Sequence, residues 1–145
     1  MTKMNSINEV IELLALWYNE ASRLFDISPP SGIWFSTRIS NMQYHYENEI
    51  IIISLHNFAK ALNYKDFPWI ITGIRHEFGH HFVKKVFNTR NEVKHEKAAK
   101  VFEYVEHPDL IEIEGRLKDA VRKLPEMSHE EKVNAIMSYA SKEEK

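Results

Sequence analysis

Ile74-Arg75-His76-Glu77-Phe78-Gly79-His80-His81-Phe82 is the stretch on which the reading of this chain turns. Trp69, Ile70 and Ile71 precede it and Val83, Val86 and Phe87 follow, so that apolar residues recur at helical spacing on both sides. On a helix, His76 and His80 project from one face about one turn apart. Two imidazoles so placed reach one zinc ion at bonds of about 2.0–2.1 Å. Glu77, next to the first histidine, lies beside the open coordination position. There it is placed to take a proton from a zinc-bound water, whose pKa zinc brings toward about 7, and to deliver it to a leaving amine. His81 points about 100° away from His80 and reads as packing on the flank of the motif rather than as a ligand. Gly79 costs the helix roughly 1 kcal/mol relative to alanine, which implies a neighbour crossing close by. The plainer alternative is a helix with two surface histidines and a glycine that only permits packing.

A catalytic zinc site has three protein ligands and one open position, so a third ligand is needed. The metzincin pattern would place a glycine at 83 and a histidine at 86; valines stand at both positions, which excludes it. The other solution is a glutamate on the following helix, where Glu92, Glu96 and Glu103 share one face. That helix must fold back after a break at Asn88-Thr89-Arg90-Asn91. Glu92 then falls roughly 12 Å along the axis from His80 and reads as a cap residue. Glu96 lies nearly level with His80 and is the expected ligand. Glu103 overshoots, although a side chain tilting toward its helix N-terminus recovers part of that distance, and it stands second.

Outward from the motif, Asp66 is placed to cap its helix, with Pro68 tolerated in the first turn. Thr89 and Glu92 read as a capping box for the glutamate helix, which carries Ala98, Ala99, Phe102 and Val105 and ends near His107-Pro108. Leu110, Ile113, Leu117, Ala120 and Leu124 mark a fourth helix, and Ser128-x-x-Glu131 opens a fifth. Upstream, Ser6 and Glu9 read as the capping box of a first helix over residues 7–25, stopped by Ser28-Pro29-Pro30-Ser31-Gly32. Strand-like segments follow at Ile33–Thr37 and Gln43–Tyr46, then the polar turn Glu47-Asn48-Glu49 and the strongest strand, Ile50–Ser54. A small antiparallel sheet with a hairpin is expected, and Trp17, Trp34 and Trp69 read as core. The architecture is α+β: an N-terminal helix, a small mostly antiparallel sheet, the motif helix, the glutamate helix and C-terminal helices.

With 145 residues, the chain has the length of one domain over 1–145 with a modest core. Apolar residues make up 43% and charged residues 28%, a balance that suits a globular chain. A net charge of −2 gives no basic excess for phosphates, so no nucleic-acid partner is expected. No apolar run approaches membrane-spanning length, and no signal peptide is recognised. Cysteine is absent, which removes disulfides and thiolate ligands and leaves imidazoles and carboxylates for metal. A cytoplasmic location is the default expectation.

The motif, the isoleucine strand before it and the segment Glu96-Lys97-Ala98-Ala99-Lys100-Val101-Phe102 resemble the gluzincins, of which thermolysin is the familiar large member. The compact size is closer to minigluzincins and ImmA/IrrE-type peptidases. The resemblance spans residues 48–106 and rests mainly on the motif. It implies a zincin-like fold and one zinc ion per chain held by His76, His80 and Glu96. It also implies hydrolysis of peptide bonds with Glu77 as catalytic base, and Ile50–Ser54 as the rim strand that pairs with an extended peptide or protein substrate. The interval from His80 to Glu96 is short for the group, and Asn91-Glu92 is similar to the start of the thermolysin glutamate helix, which keeps Glu92 open. Minigluzincin resemblance further suggests that the segment from Ser128 onward lies over the cleft and holds it latent. The alternative function is a regulatory or binding protein with a zincin-like zinc site and little proteolysis. A purely structural zinc would instead need a fourth protein ligand, for which His95 or His107 would serve.

Overall fold

Four consecutive isoleucines give Ile50–Ser54 no polar face to turn to water, and a strand of that kind suits the middle of a sheet. The computed structural model describes residues 3–143 and places it there. In chain order the described elements are α1 (Lys3–Leu24), β1 (Gly32–Ser36), β2 (Met42–His45), β3 (Ile50–Ser54), α2 (Leu55–Asn63), α3 (Phe67–Phe87), α4 (Glu92–Phe102), α5 (Pro108–Arg122) and α6 (His129–Glu143). The class is α+β, as expected.

The sheet runs β1-β3-β2. The turn at residues 46–49, with Glu49 in the left-handed region at φ 56°, returns the chain as an antiparallel β2–β3 hairpin. β1 pairs with the other edge of β3 in parallel. The expectation of a mostly antiparallel sheet is therefore corrected to a mixed one. The rim assignment is corrected with it: both edges of β3 are taken, and β2 is the edge strand packed against α3. β2 alternates along Met42-Gln43-Tyr44-His45, with Met42 buried and Gln43 and His45 exposed, the pattern of an edge strand.

Several end signals act as read. Asp66 caps α3 by accepting from Trp69 N, and Pro68 sits in the first turn. Ser128 and Glu131 form a reciprocal box, each side chain accepting from the other's backbone N–H at 3.1 and 3.0 Å. Others shift. α1 is already helical at Lys3, so Ser6 lies inside it rather than at its cap. Asn91, not Thr89, caps α4 by accepting from Lys94 N at 3.0 Å; Thr89 Oγ1 instead accepts from Asn91 N. α4 ends at Phe102 rather than near His107, which serves α5 as its cap. α2 was not anticipated; Ser54 caps it where the isoleucine strand ends.

The core gathers on the inner face of α3. Phe78, inside the histidine motif, is fully buried and meets Trp17 of α1 and Phe102 of α4 edge-to-face, with centroids at 5.7 and 5.2 Å. Tyr18 of α1 donates its hydroxyl to the Ile74 carbonyl at 3.0 Å, tying α1 to the turn that carries the first histidine. Trp17 is core as expected, but Trp34 is 54% exposed and Trp69 half-buried. α6 packs on α1, α2 and β1, with Ala135 and Ile136 buried, rather than over the motif.

Candidate metal centre

Gly79 explains how α4 comes to the histidines. A Cβ built on it would lie 2.5 Å from the Ala99 Cα and 2.9 Å from the Ala98 carbonyl oxygen, so only glycine lets the two backbones touch. The small Ala98 and Ala99 complete the contact, and the crossing brings Glu96 over the outer face of α3. The close neighbour implied by the glycine is the backbone of the glutamate helix.

His76, His80 and Glu96 each offer a ligand atom, and those atoms lie within 4.8 Å of one another. Glu96 Oε1 is 3.5 Å from His80 Nε2, and Oε2 is 4.0 Å from His76 Nε2. Ligands about 2.0–2.1 Å from a tetrahedral centre stand roughly 3.4 Å apart. The spacing therefore fits one small cation after slight closure, and two imidazoles with one carboxylate form a set that zinc accepts. Glu96 is 59% exposed and has a long side chain, so its own approach to the two imidazoles needs no movement of the helices.

The other nitrogens are braced. Glu103 Oε2 lies 2.7 Å from His76 Nδ1; a carboxylate only accepts, so Nδ1–H donates and Nε2 keeps its lone pair for the triad. Glu103 itself is held by Arg75, whose Nη1 donates to the Glu103 carbonyl at 2.9 Å. Arg75 also forms a two-point pair with Glu114 of α5, at 2.9 and 2.6 Å, and Trp17 Nε1 donates to the same carboxylate. Glu103 thus stands behind the first histidine while Glu96 stands in front. Glu92 lines the open cleft beside Glu96 and caps nothing, since its neighbour Asn91 does so.

Glu77 is buried, and its pKa is pushed up from 4.5 to about 8, first by burial and then by the charge of Glu96. A hydrogen bond from the Tyr44 backbone N–H works against that rise. His80 is driven down from 6.5 to about 4, by burial first and His76 second, so its imidazole is neutral over the physiological range. His81 is fully buried. Its Nε2–H donates to the Ser28 carbonyl at 2.7 Å, and its Nδ1 accepts from the Tyr44 hydroxyl at 2.8 Å. It sits off the triad, as its position on the helix implied, and fastens β2 to α3.

The antiparallel register sets which groups of β2 face the cleft. Asn41 accepts from Ser54 N, which puts the odd-numbered backbone groups on the β3 side. Met42 and Tyr44 therefore turn their N–H and C=O groups outward, and Tyr44 N–H meets Glu77 there. Two open clefts flank the triad. One, of about 540 Å³, is bounded by Met42, Trp69, Gly73, His76 and Glu77; the other, of about 520 Å³, by Tyr44, Tyr46, His80, Arg90 and Glu96.

The fourth ligand that a closed structural site requires is not met by the two histidines considered for it. His95 faces His80 Nδ1, behind the triad, and His107 Nδ1 accepts from Asp109 N as a helix cap. The contact of Tyr44 with Glu77, the contact of His95 with His80 and the bracing role of Glu103 escaped the sequence reading, which took His95 only as a candidate fourth ligand. A signal existed for Glu103 in its seven-residue spacing from Glu96, which repeats one helix face. Among the described residues no helix is long and apolar enough to cross a membrane. Comparisons of the chain with family models, curated proteins and solved structures find no match in any of the three.

Proposed function

We propose that the protein is a zinc-dependent metallopeptidase of the zincin-like, gluzincin type, with His76, His80 and Glu96 holding one zinc ion. The observation that carries the reading is the convergence of three donor atoms from two helices next to a buried glutamate that binds none of them. A zinc ion there supplies Lewis-acid polarisation of a scissile carbonyl and acidifies water at neutral pH. Glu77 is the residue that accepts a proton from the attacking water and returns it to the departing amine nitrogen. Its burial makes it a stronger base than an exposed carboxylate, and the positive charge of a bound zinc ion would draw its pKa back toward working pH. An extended peptide is received along β2, where the outward backbone groups of Met42 and the Tyr44 carbonyl offer it strand pairing while the Tyr44 N–H stays with Glu77, and side chains enter the flanking clefts. A base kept at such a cost in burial supports an enzyme over a binding protein that only retains the metal helix.

The test combines metal content with hydrolysis of a casein-type substrate. Wild-type protein is expected to carry one zinc, and His76→Ala, His80→Ala and Glu96→Ala to lose it. Glu77→Gln is expected to retain zinc and fold while hydrolysis falls by about 10²–10⁴-fold. A wild-type protein that takes up no zinc on titration, or a Glu77→Gln variant within two-fold of wild type, would overturn the reading.

A further inference from the structure

His95 precedes the proposed ligand Glu96 by one residue, and on α4 the two side chains diverge by about 100°. The result is a grip on His80 from both ends of its ring. Glu96 Oε1 stands 3.5 Å from Nε2, while His95 Nδ1 stands 3.0 Å from Nδ1, with the two rings stacked at 5.2 Å and 23°. His95 is buried, 8% exposed, and Tyr46 closes on its ring edge-on at 5.8 Å. Its far nitrogen, Nε2, lies 2.6 Å from the carbonyl oxygen of Thr89 in the α3–α4 turn.

Two ring nitrogens facing each other at hydrogen-bond distance admit one proton between them, and a third group decides where it sits. The Thr89 carbonyl can only accept, so the proton of neutral His95 is on Nε2 and its Nδ1 presents a lone pair. His80 must then donate from Nδ1, which leaves Nε2 unprotonated and aimed at Glu96 and the triad. The chain Thr89 C=O to His95 to His80 thus writes a single tautomer into the second histidine of the motif, using the neutral ring where His76 uses a carboxylate.

We infer that His95 is a positioning residue that fixes His80 in the Nδ1–H tautomer and so presets its Nε2 for metal. The inference rests on the metal reading of the triad, but the tautomer exists whether or not metal is present. A neutral brace also differs from Glu103 in consequence: it orients its histidine without adding negative charge to a site that already holds Glu77, Glu96 and Glu103.

Long-range ¹⁵N–¹H correlation spectra of the metal-free protein near neutral pH are expected to report His80 as the Nδ1–H tautomer and His95 as the Nε2–H tautomer. His95→Phe keeps a ring but removes the acceptor. It is expected to give His80 a mixed tautomer and to weaken zinc binding, measured by competition titration, by about 10- to 100-fold. His95→Asn places an amide oxygen near the lost Nδ1 and is expected to recover most of that affinity and the single tautomer. A wild-type His80 in the Nε2–H form would overturn the inference. So would a His95→Phe variant with unchanged affinity, or equal losses in both variants, which would mark His95 as packing alone. A wild-type protein that binds no zinc yet shows the expected tautomers would fail the metal reading while upholding the hold of His95 on His80. Should His95→Phe not fold, the wild-type spectra and His95→Asn still decide.

Discussion

Glu77 is buried beside a second carboxylate, with the Tyr44 N–H as opposing compensation, and this has a consequence for the metal-free protein that precedes any catalysis. A carboxyl raised from 4.5 to about 8 on folding holds its proton more tightly folded than unfolded. Folding then takes up a proton between those values, and stability falls as pH rises through the window. His80 has the opposite sign, since its depressed pKa makes the fold gain stability as pH rises toward 6.5. Above 6.5 the imidazole is neutral in both states, and Glu77 acts without that offset. The metal-free protein is therefore expected to lose stability between pH 6.5 and 8. At about 1.4 kcal/mol per pH unit the loss is at most about 2 kcal/mol. Glu77→Gln has no such proton to lose and should flatten the profile. Urea unfolding at several pH values, with chelator present, measures both; a wild-type slope equal to that of the variant would show that Glu77 is not buried in this way.

At the scale of elements, the crossing of α3 and α4 is the feature on which the site depends, and Gly79 is its pivot. Gly79→Ala gains about 1 kcal/mol of helix propensity. Against that gain stands a methyl group 2.5 Å from the Ala99 Cα, and the obstacle is backbone rather than a side chain that can turn away. Overpacking of this kind costs about 1–3 kcal/mol, and its relief pushes α4 outward with Glu96 on it. The variant is expected to be less stable to urea and to bind zinc more weakly than wild type; unchanged values for both would mean that the helices do not touch at Gly79. This crossing was legible in sequence because glycine inside a helix, a tight break and an alanine pair each leave a local mark. Glu96 followed from the arithmetic of residues past the turn. The sheet order was less legible, since local pattern names strands but not neighbours. The resemblance placed Ile50–Ser54 at the rim, whereas the order β1-β3-β2 puts it in the middle and leaves Met42–His45 at the edge. His95 and Glu103 were not legible as braces, because a bond to the far side of an imidazole depends on helix rotation to within a few tens of degrees. Spacing alone does not supply that.

For the molecule as a whole, the question is what α6 does, since resemblance to latent enzymes assigns it to the cleft and the packing assigns it elsewhere. Ala135 and Ile136 are buried, Val133 and Tyr139 pack on the core, and Met127 just before the helix is buried too. Lys132 places its ammonium inside, donating to Asn63 Oδ1 at 3.0 Å and to the Met127 carbonyl at 2.7 Å, so that the helix is pinned to the end of α2. Burial lowers the pKa of that amine, and the two oxygens are what make its position tolerable. Burying one large apolar side chain contributes about 1.5–3 kcal/mol, and a whole domain has only about 5–15 kcal/mol to lose. Removing Ile136, Val133 and Tyr139 together, and uncovering the α1, α2 and β1 surfaces beneath them, approaches that total. Truncation after Met127 is therefore expected to give a protein without a cooperative urea transition and with weakened near-UV circular dichroism, not a more active one. A truncated protein that unfolds cooperatively and cleaves casein faster than the full chain would return α6 to the role of a cover. The cleft along β2 is open without any such removal, and α6 is one wall of the core, packed on α1, α2 and β1.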